Sequence, residues 1–172
     1  MTTILGIDPS LTATTYCRLG EKTHSFGTIT TKLKGVERLL FIEEQLQTAV
    51  TVDKLDLICL EGYAYARPNQ AHQIGELGGA IRKLLWLSKI PWVEIAPAAV
   101  KKFATGKGNA DKNLVLMNIY KRWGVECAND NQADAYALAK IGWELVEPSD
   151  CLPVFQEQVM EKIRAGQEEE GI

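Results

Sequence analysis

At 172 residues, 46% hydrophobic and 24% charged, the chain suits one domain with a real core. No run approaches the roughly 18 apolar residues of a membrane span, and no basic stretch leads into an apolar one at the start, so a cytoplasmic protein is expected, with no membrane partner. The net charge of −3 comes from the end of the chain: residues 147–172 carry seven acids and two bases, leaving 17 bases and 15 acids before them.

In chain order, residues 3–31 read as three short strands rich in β-branched residues, with Gly20-Glu21 as one turn. Residues 35–50 form a helix whose apolar stripe is Val36, Leu39, Leu40, Ile42 and Leu46. A strand over 56–61 precedes a long helix, 69–88, that contains Gly75, Gly78 and Gly79. A short strand, 91–95, leads to helices over 97–104 and 111–123, and the last core helix covers 130–147, ended by Pro148. Beyond it lies an acidic tail, 148–172, read as one short helix and a frayed end. Strands first, then strands alternating with helices, predict an α/β domain over residues 1–147, built on a mixed sheet flanked by helices. The four cysteines (Cys17, Cys59, Cys127, Cys151) are scattered without a CxxC pair and read as reduced thiols.

Three acids stand out. Ile4-Leu5-Gly6-Ile7 runs straight into Asp8, and Leu57-Ile58-Cys59-Leu60 runs into Glu61. Asp134 lies in the small stretch Gln132-Ala133-Asp134-Ala135. An acid at the end of a buried strand is costly unless it is paired or binds a cation. Three of them on separate apolar elements suggest a carboxylate cluster for Mg²⁺ and the chemistry of a nuclease, because a hard ion takes oxygen ligands. Each has a plain structural reading as well: an Asx-turn at Asp8, an ion pair of Glu61 with Arg67, a helix-dipole contact at Asp134. Asp130, one helical turn before Asp134, is either a fourth ligand or the helix cap, with Asn129 and Asn131 as competitors.

Between Arg67 and Arg122 stand ten bases and three acids, a balance that permits phosphate binding. Within it, Lys101-Lys102 and Thr105-Gly106-Lys107-Gly108-Asn109, followed by Asp111-Lys112 and a helix start, resemble an anion-binding loop. An ordinary helix–helix connection is the other reading, and the spacing is not that of a Walker A motif. Tyr63, Tyr65 and Arg67 follow Glu61 closely, where aromatic rings stack on or wedge between bases.

These residues resemble the RuvC-type Holliday-junction resolvases, especially their compact phage relatives. The resemblance covers roughly residues 3–147 and rests on Ile4 to Ser10, Cys59-Leu60-Glu61, Val100 to Lys112, and Asn131 to Ala135. It implies an RNase H-like fold with a five-stranded mixed sheet, and a Mg²⁺-dependent (Mn²⁺ substituting) endodeoxyribonuclease that resolves branched DNA as a homodimer in a bacterial or phage-infected cell. It places metal binding and catalysis on Asp8, Glu61 and Asp134, and DNA contacts on Lys101 and Lys112, with Lys102, Lys107, Tyr63, Tyr65 and Arg67 added from the local pattern. In the family an acid or His stands three residues before the last Asp; here that position is Asn131, and Asp130, one earlier, takes the role of fourth ligand. The family's aromatic three residues after the Glu is replaced by Ala64. Three other readings are an RNase H-fold nuclease acting on RNA in pre-rRNA processing, a non-catalytic junction-binding protein, and an actin-like kinase, which needs a duplicated domain.

Overall fold

A computed structural model describes residues 1–62 and 71–170, the last three as backbone only. The elements are β1 (Thr3–Asp8), β2 (Ala13–Gly20), β3 (His24–Thr30), α1 (Gly35–Thr51), β4 (Leu57–Glu61), α2 (Ala71–Ser88), β5 (Trp92–Ile95), α3 (Pro97–Thr105), α4 (Lys112–Trp123), α5 (Asp130–Val146) and α6 (Val154–Glu170). The five strands form one sheet in the order β3-β2-β1-β4-β5. β1–β2 and β2–β3 are antiparallel; β1–β4 and β4–β5 are parallel. This is the mixed, helix-flanked sheet expected, and its central strands are those with continuous apolar sequence.

Successive side chains of a strand point to opposite faces, and each face here has its own core. Leu5, Ile7, Ile58 and Leu60 pack against Ile42, Leu46 and Val50 of α1 and Leu77, Ile81, Leu84 and Leu85 of α2. Ile4, Cys17, Leu57 and Cys59 face the other way, onto α3, α4 and α5. The apolar stripe of α1 is narrower than expected. Leu39, Ile42, Leu46 and Val50 turn inward, whereas Val36 and Leu40, which share an i, i+4 ridge, are 68% and 60% exposed. The apolar row of α2 is spent inside the molecule as well, because α1 and the sheet cover Leu77, Ile81, Leu84 and Leu85.

The acidic tail needs a larger correction. α6 is 17 residues long rather than short, and it is part of the core. Val159 and Met160 are buried, with Leu152 and Ile163 packed beside them, a helical spacing partly masked by the surrounding glutamates. Gln156, 4% exposed, donates from Nε2 to the carbonyl of Phe103 on α3 at 2.9 Å. The four cysteines are free, as expected, and no described helix is long and apolar enough to cross a membrane.

Candidate active site

The register of β1 on β4 pairs Ile4 with Leu57 and Ile7 with Leu60, so Asp8 and Glu61 leave the sheet side by side at the ends of parallel strands. Neighbouring strands are about 4.8 Å apart. Asp8 shares a face with Ile4 and Gly6, and Glu61 with Leu57 and Cys59, so both carboxylates point to the α5 side. α5 reaches them because nothing stands between its backbone and β1. A methyl group on Gly6 would lie 2.2 Å from the Ala135 carbonyl and 2.6 Å from the Ala139 nitrogen; one on Gly142 would lie 2.5 Å from Ile4 Cγ2. The alanine-rich sequence of α5 is thus the sequence of a helix laid directly on a strand, and Asp134 precedes the residue that touches Gly6.

Local hydrogen bonds separate the competing readings. The turn after β1 is closed by Thr14, whose Oγ1 accepts from Ser10 N at 3.0 Å and donates to Ser10 O at 2.8 Å; the Asp8 carboxylate is not needed there. Asn129 caps α5, its Oδ1 accepting from Gln132 N at 3.0 Å, while Gln132 Oε1 accepts from Ala128 N at 2.9 Å. Asp130 is therefore not the cap. Asp134 sits in the second turn, past the reach of the strongest dipole contacts. The expected partner of Glu61, Arg67, lies outside the described residues, as do Tyr63 and Tyr65.

The acids act on one another. Asp8 is 7% exposed. Burial, and then the charge and hydrogen bond of Glu61, hold its carboxyl well above the usual range, with Asp134 and Asp130 adding to the effect. Burial and the charge of Asp134 raise Glu61 to about 7, against the opposing hydrogen bond from Asp8 and the ammonium of Lys101. Burial lifts Asp134 to about 6, with Lys101 and Lys112 pulling down and Asp130 pushing up. Among the described residues no three carboxylates already meet at one point; a proton shared from Asp8 to Glu61 offsets part of the repulsion. An all-oxygen set of buried, mutually repelling carboxylates fits a hard divalent cation.

The lysines divide. Lys101 on α3 lies close enough for its charge to be felt at Glu61 and Asp134. Lys112 pairs with Asp130. Lys102, expected beside Lys101, instead donates to Gln158 Oε1 on α6 at 2.9 Å, since consecutive helical residues point about 100° apart. Lys107 is exposed in the loop. That loop connects two helices: Gly106 (φ 85°) ends α3 in the left-handed region, and the N-terminus of α4 is taken by Asp111, which accepts from Leu114 N at 2.9 Å. The sequence reading missed the two packing glycines, Gly6 and Gly142. The signal was available in a glycine interrupting an apolar strand, matched by a row of alanines elsewhere.

A family model described as crossover junction endodeoxyribonuclease RuvC matches residues 4–141, from β1 into α5, and so includes all four acids. The crossover junction endodeoxyribonuclease RuvC of Chlamydia trachomatis serovar L2 is 31% identical over 149 residues, covering 79% of this chain and 88% of the relative. That of Gloeobacter violaceus is 27% identical over 150 residues, covering 81% and 87%. Among solved structures, Thermus thermophilus RuvC superposes with a TM-score of 0.68 at 20% identity, covering 84% of this chain and 96% of that one. T. thermophilus RuvC in complex with Holliday junction substrate gives 0.67 at 21%, covering 81% and 91%. These two are likenesses of fold. With the family match running through the sheet and the acid-bearing helix alike, the chain belongs to the RuvC family of crossover junction endodeoxyribonucleases.

Proposed function

We propose that this chain is a Mg²⁺-dependent endonuclease that resolves four-way DNA junctions, with Asp8, Glu61 and Asp134 as metal ligands. The observation that carries the reading is the β1–β4 register, which sets Asp8 beside Glu61 beneath the start of α5. When bound, divalent ions supply a water ionised at neutral pH and neutralise charge on the departing oxygen. The chain's own residues do the rest. Asp8, Glu61 and Asp134 hold the site on three separate rigid elements, and Lys101 stands where a scissile phosphate would approach the acids. The products are a 5′-phosphate and a 3′-hydroxyl. The deciding assay sets a four-way junction, a linear duplex and an RNA/DNA hybrid side by side, with and without Mg²⁺. Junction cleavage that needs the metal is expected; preference for the hybrid would favour an RNA substrate, and binding without cleavage a non-catalytic protein.

Asp130 supports the site as a fourth acid, released from Lys112 when metal is present. Because Asn129 is the cap, Asp130→Asn leaves α5 intact. We expect it to slow cleavage at least about tenfold at low Mg²⁺, with partial recovery at high Mg²⁺, a deficit of about 1.4 kcal/mol. A metal titration matching wild type would reduce Asp130 to a salt-bridge partner.

Lys101 and Lys112 are the DNA contacts we favour, on a homodimer whose two sites face two opposed strands of a junction. On the α1–α2 layer, the exposed apolar residues Val36, Leu40, Trp86 and Leu87 are the natural surface for the second copy. Each lysine that binds a phosphate adds roughly one to the slope of log affinity against log salt. Lys101→Ala/Lys112→Ala is therefore expected to weaken all junction sequences alike and to lower that slope by about two. An unchanged slope would remove both from the DNA path.

A further inference from the structure

At the end of the sheet opposite the acids, where Gly20 pairs with Thr3, a cavity of about 350 Å³ opens between the β2–β3 turn, the end of α4 and the flank of α5. A second, of about 390 Å³, lies between α4, α5 and the segment entering α6. Among the described residues only Trp123 and Lys140 line both. The Lys140 ammonium stands 5.9 Å from the Trp123 ring centroid and 6.0 Å from that of Trp143. The acid four residues on, Glu144, is engaged elsewhere, accepting from Ser149 N at 2.9 Å and Ser149 Oγ at 3.0 Å. Among the described residues no oxygen accepts a hydrogen bond from Lys140. Burial lowers its pKa, with Glu144 opposing. An ammonium drawn half out of water, near two indole rings but with no oxygen acceptor, keeps part of its desolvation cost, and an incoming anion relieves it.

The walls say what the rest of the ligand is. Trp123 leans on Tyr136 with centroids 5.8 Å apart, and His24 meets Tyr136 edge-on at 5.8 Å, so the cleft is aromatic on three sides, with Glu21 and Lys22 at its rim. An anion attached to a flat apolar body matches both parts, and the volume lies in the range of small-ligand sites. We propose that this cleft is a nucleotide-binding site separate from the acid cluster, with a base against the indoles of Trp123 and Trp143 and a phosphate on Lys140. Free mononucleotides and the nucleotides of a single DNA strand share this chemistry. β1 alone separates the cleft from Asp8 by about 17 Å, five residues at roughly 3.3 Å each.

Two of the chain's four tryptophans line the cleft, so intrinsic fluorescence reports its occupancy. The experiment titrates full-length protein with deoxyadenosine monophosphate and, separately, with a short oligothymidylate. Wild type, Lys140→Gln, Lys140→Arg and Trp143→Leu are compared, with folding checked by circular dichroism. Wild type is expected to show saturable quenching. Lys140→Gln should weaken binding roughly tenfold or more, the size of one lost charge-assisted hydrogen bond, and Lys140→Arg should restore most of it. All three variants should cut a four-way junction at near the wild-type rate, which keeps this result distinct from any failure at the acids. Quenching by the monophosphate identifies a free-nucleotide site; quenching by the oligomer alone identifies a strand-binding one. Absence of saturable quenching in wild type, or equal affinity in a folded Lys140→Gln, overturns the proposal.

Discussion

Asp8→Asn is expected to abolish junction cleavage, by three orders of magnitude or more, and at the same time to make the metal-free protein more stable. The first effect follows from removing a ligand charge at almost constant volume, at the site where metal-assisted hydrolysis gains several kcal/mol of charge stabilisation. The second follows from the acids themselves. Glu61 binds its proton up to about 7 in the folded chain and Asp134 to about 6, each above its ordinary value, because burial and neighbouring charges disfavour ionisation. A carboxyl raised on folding contributes stability at low pH and loses it as pH rises through its folded value. Metal-free wild type should therefore lose stability between about pH 4.5 and pH 7, and Mg²⁺ should return it. Asp8→Asn removes one of the repelling carboxyls, so its gain should grow as pH rises through the raised values of Glu61 and Asp134 and be absent near pH 4. For a chain of this size each kcal/mol moves the melting temperature by about 2–4 °C. Full cleavage by Asp8→Asn would remove the carboxylate cluster as the site of chemistry. An equal melting temperature for mutant and wild type at pH 8 would show that the acids do not strain the metal-free fold.

Gly6→Ala should have the largest effect on folding of any single methyl group. The added carbon would sit 2.2 Å from one backbone atom of α5 and 2.6 Å from another, distances no side-chain rotation can relieve. Overpacking typically costs about 1–3 kcal/mol, and more where backbone must move. The helix must lift from β1, and Asp134 must lift with it. Loss of both stability and metal affinity is therefore expected, measured by denaturant unfolding and a Mg²⁺ titration of stability. The conservative comparison is Gly79→Ala on α2, where the new methyl meets nothing within 4 Å and should leave the protein unchanged or slightly more stable. Equal stability of Gly6→Ala and wild type would mean that α5 does not rest on the strand.

The strands, and the acids they deliver, were plain in the sequence because a buried strand ending in a carboxylate is a local pattern. The pairing of Asp8 with Glu61 is not local. It depends on which strands are neighbours and in what register, and the chain between them gives no sign of either. Asp130 could not be separated from Asn129 and Asn131 by spacing alone, since all three are good caps; only the hydrogen bond from Gln132 N to Asn129 decides it. Lys101 and Lys102 look alike in sequence, yet one lies near the acids and the other beneath α6. The glycine loop was ambiguous for a related reason. Glycine with a left-handed φ serves a helix end and an anion cradle equally well, and the choice lies with Asp111 at the next helix. α6 was underestimated because its glutamates dominate the composition of a stretch whose few apolar residues are spaced to pack.

The order in which the acids leave the ribosome has a consequence for the cell. β1 emerges first, but its parallel partner β4 begins about fifty residues later, and α5, which rests on Gly6, comes more than a hundred residues after β1. Pairings this distant close slowly and cannot close early. A chain interrupted between residues 61 and 134 holds Asp8 and Glu61 without the helix acid Asp134. If the acids are the site of chemistry as proposed, such chains are unarmed, and cleavage waits for α5.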